Sequence, residues 1–205
     1  HMPSRRQRQM CIRDSCYGDQ TPTSVLSLPG LDDHVVLMDS VSKRYSMCGA
    51  RIGAMVTRNA EVHQACMRFA MARLSPPTLA QIAGEAALQT PASYFAEVKS
   101  AYIDRRDALV DGLNAIPGVT VPKPGGAFYA VARLPIDSSD AFCEWMLSEF
   151  HLEGETVMMA PASGFYATPG AGQDEVRIAY VLETEAVRRA VAIIAAGLEA
   201  YPGRR

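Results

Sequence analysis

The first part of the chain shows short apolar runs that alternate with helical spacing. The run from Val35 to Met38 is typical of a strand covered on both faces, and residues 51–57, RIGAMVT, predict a second strand. Residues 60–74 place apolar side chains at helical spacing, and a Pro-Pro pair ends this helix before another begins near Thr78. This part is therefore predicted to be an α/β layer.

A long helix from about Ala92 to Asn114 separates that layer from a second pattern. Its apolar side chains keep to one stripe, and the IPG that follows is a turn signal. Further strands are predicted at 119–124, 126–135, 156–161 and 175–182, and helices at 138–150 and 184–200. The second part is predicted to be an α+β unit. We divide the chain into a tail at 1–15, a first domain at 16–92, and the long helix with a second domain at 93–205.

Composition and charge narrow the possible partners. The chain has 205 residues, 48% of them hydrophobic, and a formal net charge of -2, so no overall basic field attracts nucleic acid or anionic membrane. No apolar run reaches the ~20 residues of a membrane helix. The cysteines are irregularly spaced and odd in number, which indicates free thiols and a cytoplasmic location. The histidines lack ligand-like spacing, so no metal site is predicted.

One polar cluster follows directly after the first apolar run, in DSVSKRYSMCGARIG at residues 39–53. Ser40, Ser42, Lys43 and Arg51 lie beyond the carboxyl end of a predicted strand, where open α/β sheets bind their ligands. Hydroxyls and a guanidinium suit a phosphate, and small residues let a ligand approach the backbone. A lysine beside a phosphate site indicates pyridoxal 5'-phosphate, because a neutral amine condenses with its aldehyde as a Schiff base.

Several motifs then resemble a known family. SVSKRYSMCGARIG resembles the Ser-x-Ser-Lys…Gly-x-Arg-x-Gly motif of class I/II aminotransferases of pyridoxal-phosphate fold type I. VPKPGGAFYAVARLP and VMMAPASGFYATPGAGQDEVRIAYV resemble segments of the family's small domain. The resemblance covers the C-terminal half of the family, from about Tyr17 to Tyr201, and is to aspartate aminotransferase-like members. It implies part of the large-domain sheet followed by the α+β small domain.

The resemblance also implies roles for particular residues. Lys43 would be the catalytic Schiff-base lysine, Ser40 and Arg51 would bind the cofactor phosphate, and Ser42 would assist them. Arg177 would bind the substrate α-carboxylate, and Gly126 would lie on the substrate side. The substrates would be an amino acid, aspartate-like or aromatic, and a 2-oxo acid, and a homodimer is expected. The aromatic side chains near these positions are assigned to core or pocket wall: Phe128, Tyr129, Phe165 and Tyr166.

The upstream half of the family, which the resemblance does not cover, carries a Gly-rich phosphate loop, an aromatic that stacks on the cofactor ring, an asparagine and one further motif. This motif, Asp-x-x-Tyr, whose aspartate keeps the cofactor ring nitrogen protonated, should fall at residues 9–12, which read QMCI. Residues 1–15 are therefore interpreted as a tail outside the family, and the chain as a truncated or misjoined member. Its strands would form one side of a larger sheet, so an apolar face is expected to be covered by self-association.

Two alternatives remain open at this point. Residues 40–43 also satisfy Ser-x-x-Lys, the nucleophile motif of penicillin-recognising hydrolases, although no Lys-Thr-Gly or Ser-Asp-Asn follows. The other alternative is a catalytically silent aminotransferase fragment that folds and self-associates without turnover.

Overall fold

The structure is a computed structural model that describes residues 16–18 and 23–205. The chain divides into two compact units, His1–Ala96 (the first unit) and Glu97–Arg205 (the second unit). The predicted tail at 1–15, with QMCI at residues 9–12, lies outside the described residues. The domain boundaries assigned from the sequence stay a prediction.

The first unit contains a two-stranded antiparallel sheet. Strand β1 spans Val36–Ser40 and β2 spans Gly53–Thr57, with Ser40 opposite Gly53. A Cβ at Gly53 would lie 2.5 Å from the carbonyl oxygen of Asp39, so only glycine allows the two backbones to pair this closely. Strand β2 begins two residues later than predicted, because Arg51 adopts a left-handed backbone conformation.

From β1 to residue 91, the first unit also contains three helices and a 3₁₀ turn. Helix α1 spans Val41–Arg44, α2 spans Ala60–Arg73, α3 spans Thr78–Ala87, and the 3₁₀ turn spans Cys48–Ala50. The Asn59 side chain caps α2 by accepting a hydrogen bond of 3.0 Å from the Val62 amide. The predicted helical segments are confirmed in position.

The prediction that the first strand is covered on both faces is wrong within this unit. Val36 is 41% exposed and Met38 52% exposed, and Phe69 on α2 is 77% exposed. The reason is that β1 pairs only with β2 among the described residues, so the apolar run has no layer packed on each side.

Helix α4 spans Ala92–Asn114, as predicted, and its residues from Glu97 onward belong to the second unit. Leu109 is 1% exposed and Leu113 0% exposed, which confirms the inward position of the C-terminal part of the stripe. The side chain of Asn114 then receives a hydrogen bond of 2.8 Å from the Val121 amide and donates one of 3.0 Å to the Val121 carbonyl.

The second unit contains a three-stranded antiparallel sheet in the order β3-β5-β4. Strand β3 spans Tyr129–Arg133, β4 spans Ala160–Pro161 and β5 spans Glu175–Ala179. Helices α5, Ser139–Ser148, and α6, Thr184–Ala200, complete the unit. Alternate residues of β3 and β5 face a core with the helices, which includes the fully buried side chains Phe142, Met146, Val176, Ile194 and Leu198.

Two strand predictions in this unit are wrong. Residues 119–124 form only an isolated bridge between Thr120 and Arg133, and the segment 156–161 is a strand only at its last two residues. Prolines at 122 and 124 lack the amide hydrogen that a strand pair requires, and Val121 bonds the Asn114 side chain instead of a strand. Strand β4 is an edge strand, which tolerates Pro161.

Candidate cofactor and substrate sites

Ser40 is at once the last residue of β1 and the N-cap of α1. Its backbone is extended, and its hydroxyl accepts a hydrogen bond of 3.1 Å from the Ser42 amide, which starts the helix. The same hydroxyl donates to the Ser42 hydroxyl at 2.9 Å. The abrupt change from strand to helix therefore places two hydroxyls side by side, immediately before Lys43.

Cys48 connects the charged side chains of this segment. The Lys43 Nζ donates to the Cys48 Sγ at 3.6 Å, and the Arg51 Nη1 donates to the Cys48 carbonyl at 3.2 Å. The thiol itself donates to the Ser42 carbonyl at 3.1 Å. The amine and the guanidinium thus converge on one residue, which the sequence analysis had treated only as a free thiol. Its position five residues after the lysine, within the motif, was the available signal.

Two residues of the segment adopt left-handed backbone conformations that non-glycine residues rarely take. Arg51 has φ 53° and ψ 40°, and Ser46 has φ 54°. Such conformations cost about 1–3 kcal/mol each and persist only where the surroundings hold them. The Ser46 hydroxyl receives a hydrogen bond of 3.1 Å from the Tyr94 hydroxyl. The left-handed conformation of Arg51 ends the 3₁₀ turn Cys48–Ala50 shortly before β2 begins, and the Arg51 guanidinium bonds the Cys48 carbonyl.

A cavity of about 360 Å³ lies next to this segment, between the end of β1 and helix α3. Ser40, Arg44 and Glu85 contribute polar groups to its lining, whereas Lys43 and Arg51 are exposed outside it. The Arg44 guanidinium lies 3.3 Å from the Asp39 carboxylate, which also accepts the Ser40 amide at 2.8 Å. Of the four residues predicted for the cofactor site, only Ser40 lines this cavity, while Ser42 contacts Ser40 and both Lys43 and Arg51 contact Cys48.

Arg177 lies on β5 in the second unit, with Val131 on one side and Ala160 on the other. Its guanidinium carbon is 4.6 Å from the ring centre of Tyr129 and 4.6 Å from that of Phe165. Gly126 is half-buried in the segment before β3, and its predicted role stays a prediction.

Three of the four aromatic side chains that were assigned to core or pocket wall lie outside the core, so for these three only the pocket wall stays a prediction. Tyr129 is 37% exposed, Phe165 is 41% exposed and Tyr166 is 38% exposed. Tyr129 belongs to the face of β3 that points away from the core, because strand residues alternate between faces. The alternation of β3 was the signal that could have placed Tyr129 on the face that points away from the core.

The family model for aminotransferase class I and II matches residues 10–194, so the chain belongs to this family of enzymes. The match begins at residue 10, within the segment 1–15 that was interpreted as a tail. The family identified from the motifs is confirmed.

Two relatives illustrate the range of named activities. An aspartate aminotransferase of Geobacillus stearothermophilus is 33% identical over 189 residues, covering 90% of this chain and 46% of the relative. An LL-diaminopimelate aminotransferase of Moorella thermoacetica is 33% identical over 176 residues, covering 85% of this chain and 43% of the relative.

Solved structures agree with the fold. The crystal structure of an aromatic aminotransferase from Pyrococcus horikoshii is similar at a TM-score of 0.78 and 26% identity, covering 92% of this chain and 49% of that one. The predicted fold class, part of the fold type I large domain followed by the small domain, is confirmed. The chain spans about half the length of the proteins it matches.

Residues 16–18 and 23–205 contain neither a candidate membrane span nor a candidate metal-ligand cluster. No helix in these ranges has both the length and the apolar character needed to cross a bilayer. The same ranges contain no group of three or more His, Cys, Asp or Glu side chains that could hold a metal ion.

Proposed function

We propose that this chain carries out pyridoxal-phosphate-dependent transamination, transferring an amino group from an aspartate-like or aromatic amino acid to a 2-oxo acid. Lys43 would hold the cofactor as a Schiff base, while Ser40 and Arg51, assisted by Ser42, would bind its phosphate. The cofactor would supply the electron sink for the substrate α-carbon. A homodimer in the cytoplasm is part of this proposal.

The observation that carries the proposal is the convergence of the Lys43 amine and the Arg51 guanidinium on Cys48, beside the paired hydroxyls of Ser40 and Ser42. The amine can condense with an aldehyde, and the guanidinium and the two hydroxyls can donate hydrogen bonds to a phosphate. They belong to one segment that lies inside the family match.

On the substrate side, Arg177 would bind the α-carboxylate through a bidentate pair, because a guanidinium offers two parallel donors to a carboxylate. Gly126 would leave room beside the substrate. The named activities of the relatives include more than one amino donor, so the aspartate-like or aromatic donor belongs to the proposal.

The cofactor proposal is tested by absorbance and covalent trapping. Mixing the purified chain with pyridoxal phosphate should produce a Schiff-base band, and borohydride should then fix the pyridoxyl group on Lys43. The chain has three lysines, Lys43, Lys99 and Lys123, so peptide mass spectrometry can locate the adduct directly.

The matched control is Lys123→Ala, because Lys123 is an exposed lysine of the second unit that pairs with Asp107 at 2.9 Å. Lys43→Ala should lose the band while Lys123→Ala retains it. An equal band in Lys43→Ala would show that Lys43 is not the Schiff-base residue. Transamination itself is tested by formation of a new 2-oxo acid above the rate of free cofactor with the same amino acid.

A second candidate is an aminotransferase chain that associates without turnover. The exposed apolar side chains of the first unit favour it, because Phe69 is 77%, Met71 71% and Leu79 81% exposed. Sedimentation would show association in both cases. Association with no 2-oxo acid formed above the free-cofactor rate would support this second candidate.

A further inference from the structure

The guanidinium of Arg177 lies between aromatic rings contributed from both sides of its strand. Tyr129 belongs to β3, and Phe165 ends the 3₁₀ turn Ser163–Phe165 that follows β4. Since β5 lies between β3 and β4, the two rings reach Arg177 from opposite neighbours. Both ring centres are 4.6 Å from the guanidinium carbon, within the range of a cation–π contact.

These rings hold Arg177 without using its hydrogen-bond donors. An aromatic face attracts a cation through its quadrupole, whereas an arginine has five N–H groups to donate. Among residues 16–18 and 23–205, no hydrogen bond or ion pair is formed by the Arg177 side chain, although the residue is half-buried. The donors remain available for an external acceptor.

A carboxylate of the same strand could have occupied those donors. Glu175 lies two residues before Arg177 on the same face of β5. Its carboxylate instead accepts a hydrogen bond of 3.2 Å from the Arg133 Nη2 and one from the Tyr166 hydroxyl. Arg133 lies directly opposite Glu175 on β3, so this pair joins the two strands at the first residue of β5, two positions before Arg177.

We propose that Tyr129 and Phe165 are positioning residues for Arg177, and that Tyr166 and Arg133 keep Glu175 from neutralising it. The rings fix the guanidinium while its N–H donors stay open to an incoming carboxylate. This inference rests on the proposed role of Arg177 as the carboxylate-binding residue. By holding Arg177 in place, Tyr129 and Phe165 raise the affinity of the guanidinium for a carboxylate.

The first measurement needs no substitution in the rings. The full chain, labelled with ¹⁵N and free of pyridoxal phosphate, is studied through its arginine Nε–Hε resonances, with Arg177→Lys used to assign the Arg177 signal. Ring currents should displace that signal from the position of solvent-exposed arginines such as Arg58. A signal at the position of exposed arginines would overturn the proposal.

The second measurement is an acetate titration against sodium chloride at equal ionic strength. The Arg177 signal should move with acetate and not with chloride. Phe165→Leu and Tyr129→Leu should each raise the acetate midpoint about fivefold, the effect of one lost cation–π contact. Phe165→Tyr and Tyr129→Phe keep a ring and should restore the original midpoint, whereas unchanged midpoints in both leucine variants would overturn the proposal.

A further variant separates the role of the two rings from the role of Tyr166. Tyr166→Phe keeps a ring but removes the hydroxyl that binds Glu175, so the ring-current displacement should remain while the acetate midpoint rises about twofold to threefold as Glu175 competes for Arg177. An unchanged midpoint would overturn the role given to Tyr166.

The outcomes can be distinguished from those of the cofactor test. Lys43→Ala should leave the acetate response of Arg177 intact, because the titration contains no cofactor. A Schiff base on Lys43 with no ring dependence at Arg177 would overturn only this inference. Ring-dependent acetate binding without a Schiff base would overturn only the cofactor proposal.

Discussion

The two units differ in how completely they bury their own apolar side chains. In the second unit, Phe142 and Leu198 are 0% exposed, and one face of the sheet packs against the helices. In the described part of the first unit, Phe69 is 77% exposed and Leu79 81% exposed. Both units contain helices of similar length, so the difference lies in whether each helix finds a partner surface inside its own unit.

This difference bears on the two candidate sites. Arg177 lies on a sheet whose opposite face is buried, so its position is supported within the second unit. Lys43 follows a strand whose only sheet neighbour among the described residues is β2. We therefore expect the geometry around Lys43 to depend more strongly than that around Arg177 on surfaces that cover the first unit.

The test with the largest expected effect compares the burial of one phenylalanine in each unit. Phe142→Ala on α5 removes a fully buried ring that lies 5.0 Å from the Tyr201 ring, and should lower the free energy of unfolding by about 3–5 kcal/mol. Phe69→Ala on α2 should change it by less than about 0.5 kcal/mol. Urea denaturation followed by circular dichroism measures both. A large loss in Phe69→Ala would show that this ring is covered in solution.

A glycine pair tests the strand pair of the first unit. Gly53→Ala places a Cβ 2.5 Å from the Asp39 carbonyl oxygen, and the resulting backbone shift should cost about 1–3 kcal/mol and displace the segment that contains Lys43. Gly49→Ala is the control, because a Cβ there has no atom within 4 Å. Thermal unfolding and amide exchange of β1 measure the effect. Equal stability of the two variants would contradict the close pairing of β1 and β2.

The third test, which has the smallest expected effect, is the stability of the second unit at alkaline pH. Burial raises the pKa of Tyr201 to about 12, and Asp137, which accepts the phenol hydrogen bond at 2.9 Å, adds to the rise. The unfolded phenol ionises near its ordinary pKa of 10.0. Between these values only the unfolded state loses the proton, so stability should fall as pH rises, by about 1 kcal/mol per pH unit.

The control for this pH dependence is Tyr201→Phe. This variant should start from a lower stability, because it loses the hydrogen bond to Asp137, but its stability should fall less steeply above pH 10. Urea midpoints at several alkaline pH values measure both slopes. Parallel slopes in the two proteins would assign the loss to other groups, among them the Cys143 thiol, whose pKa is raised to about 11 by burial and by the nearby Asp140.

Most helices could be predicted from the sequence because their boundaries have local causes. Pro residues end α2, Ser138 accepts a hydrogen bond from the Ala141 amide to cap α5, and α4 follows a long periodic stripe. The strands were less predictable, because a strand exists only with a partner. Residues 119–124 have the composition of a strand, but the Val121 backbone is bound by the Asn114 side chain.

The candidate cofactor site was likewise predictable only in part. The order of Ser40, Ser42, Lys43 and Arg51 along the chain was enough to predict a cofactor segment, because residue types at fixed spacing carry the resemblance. The contacts of Cys48 could not be predicted, since they depend on the left-handed turn at Arg51 that follows it.

The sequence by itself determined the family, most of the helices and the identity of the charged side chains, because these depend on local spacing and residue type. The tertiary structure alone decided which apolar faces are buried and which aromatic rings contact Arg177. Tyr129 and Phe165 are 36 positions apart in the numbering, and only the strand order β3-β5-β4 brings both rings to 4.6 Å from one guanidinium. Pairing between distant strands is a property of the folded chain, which no local pattern encodes.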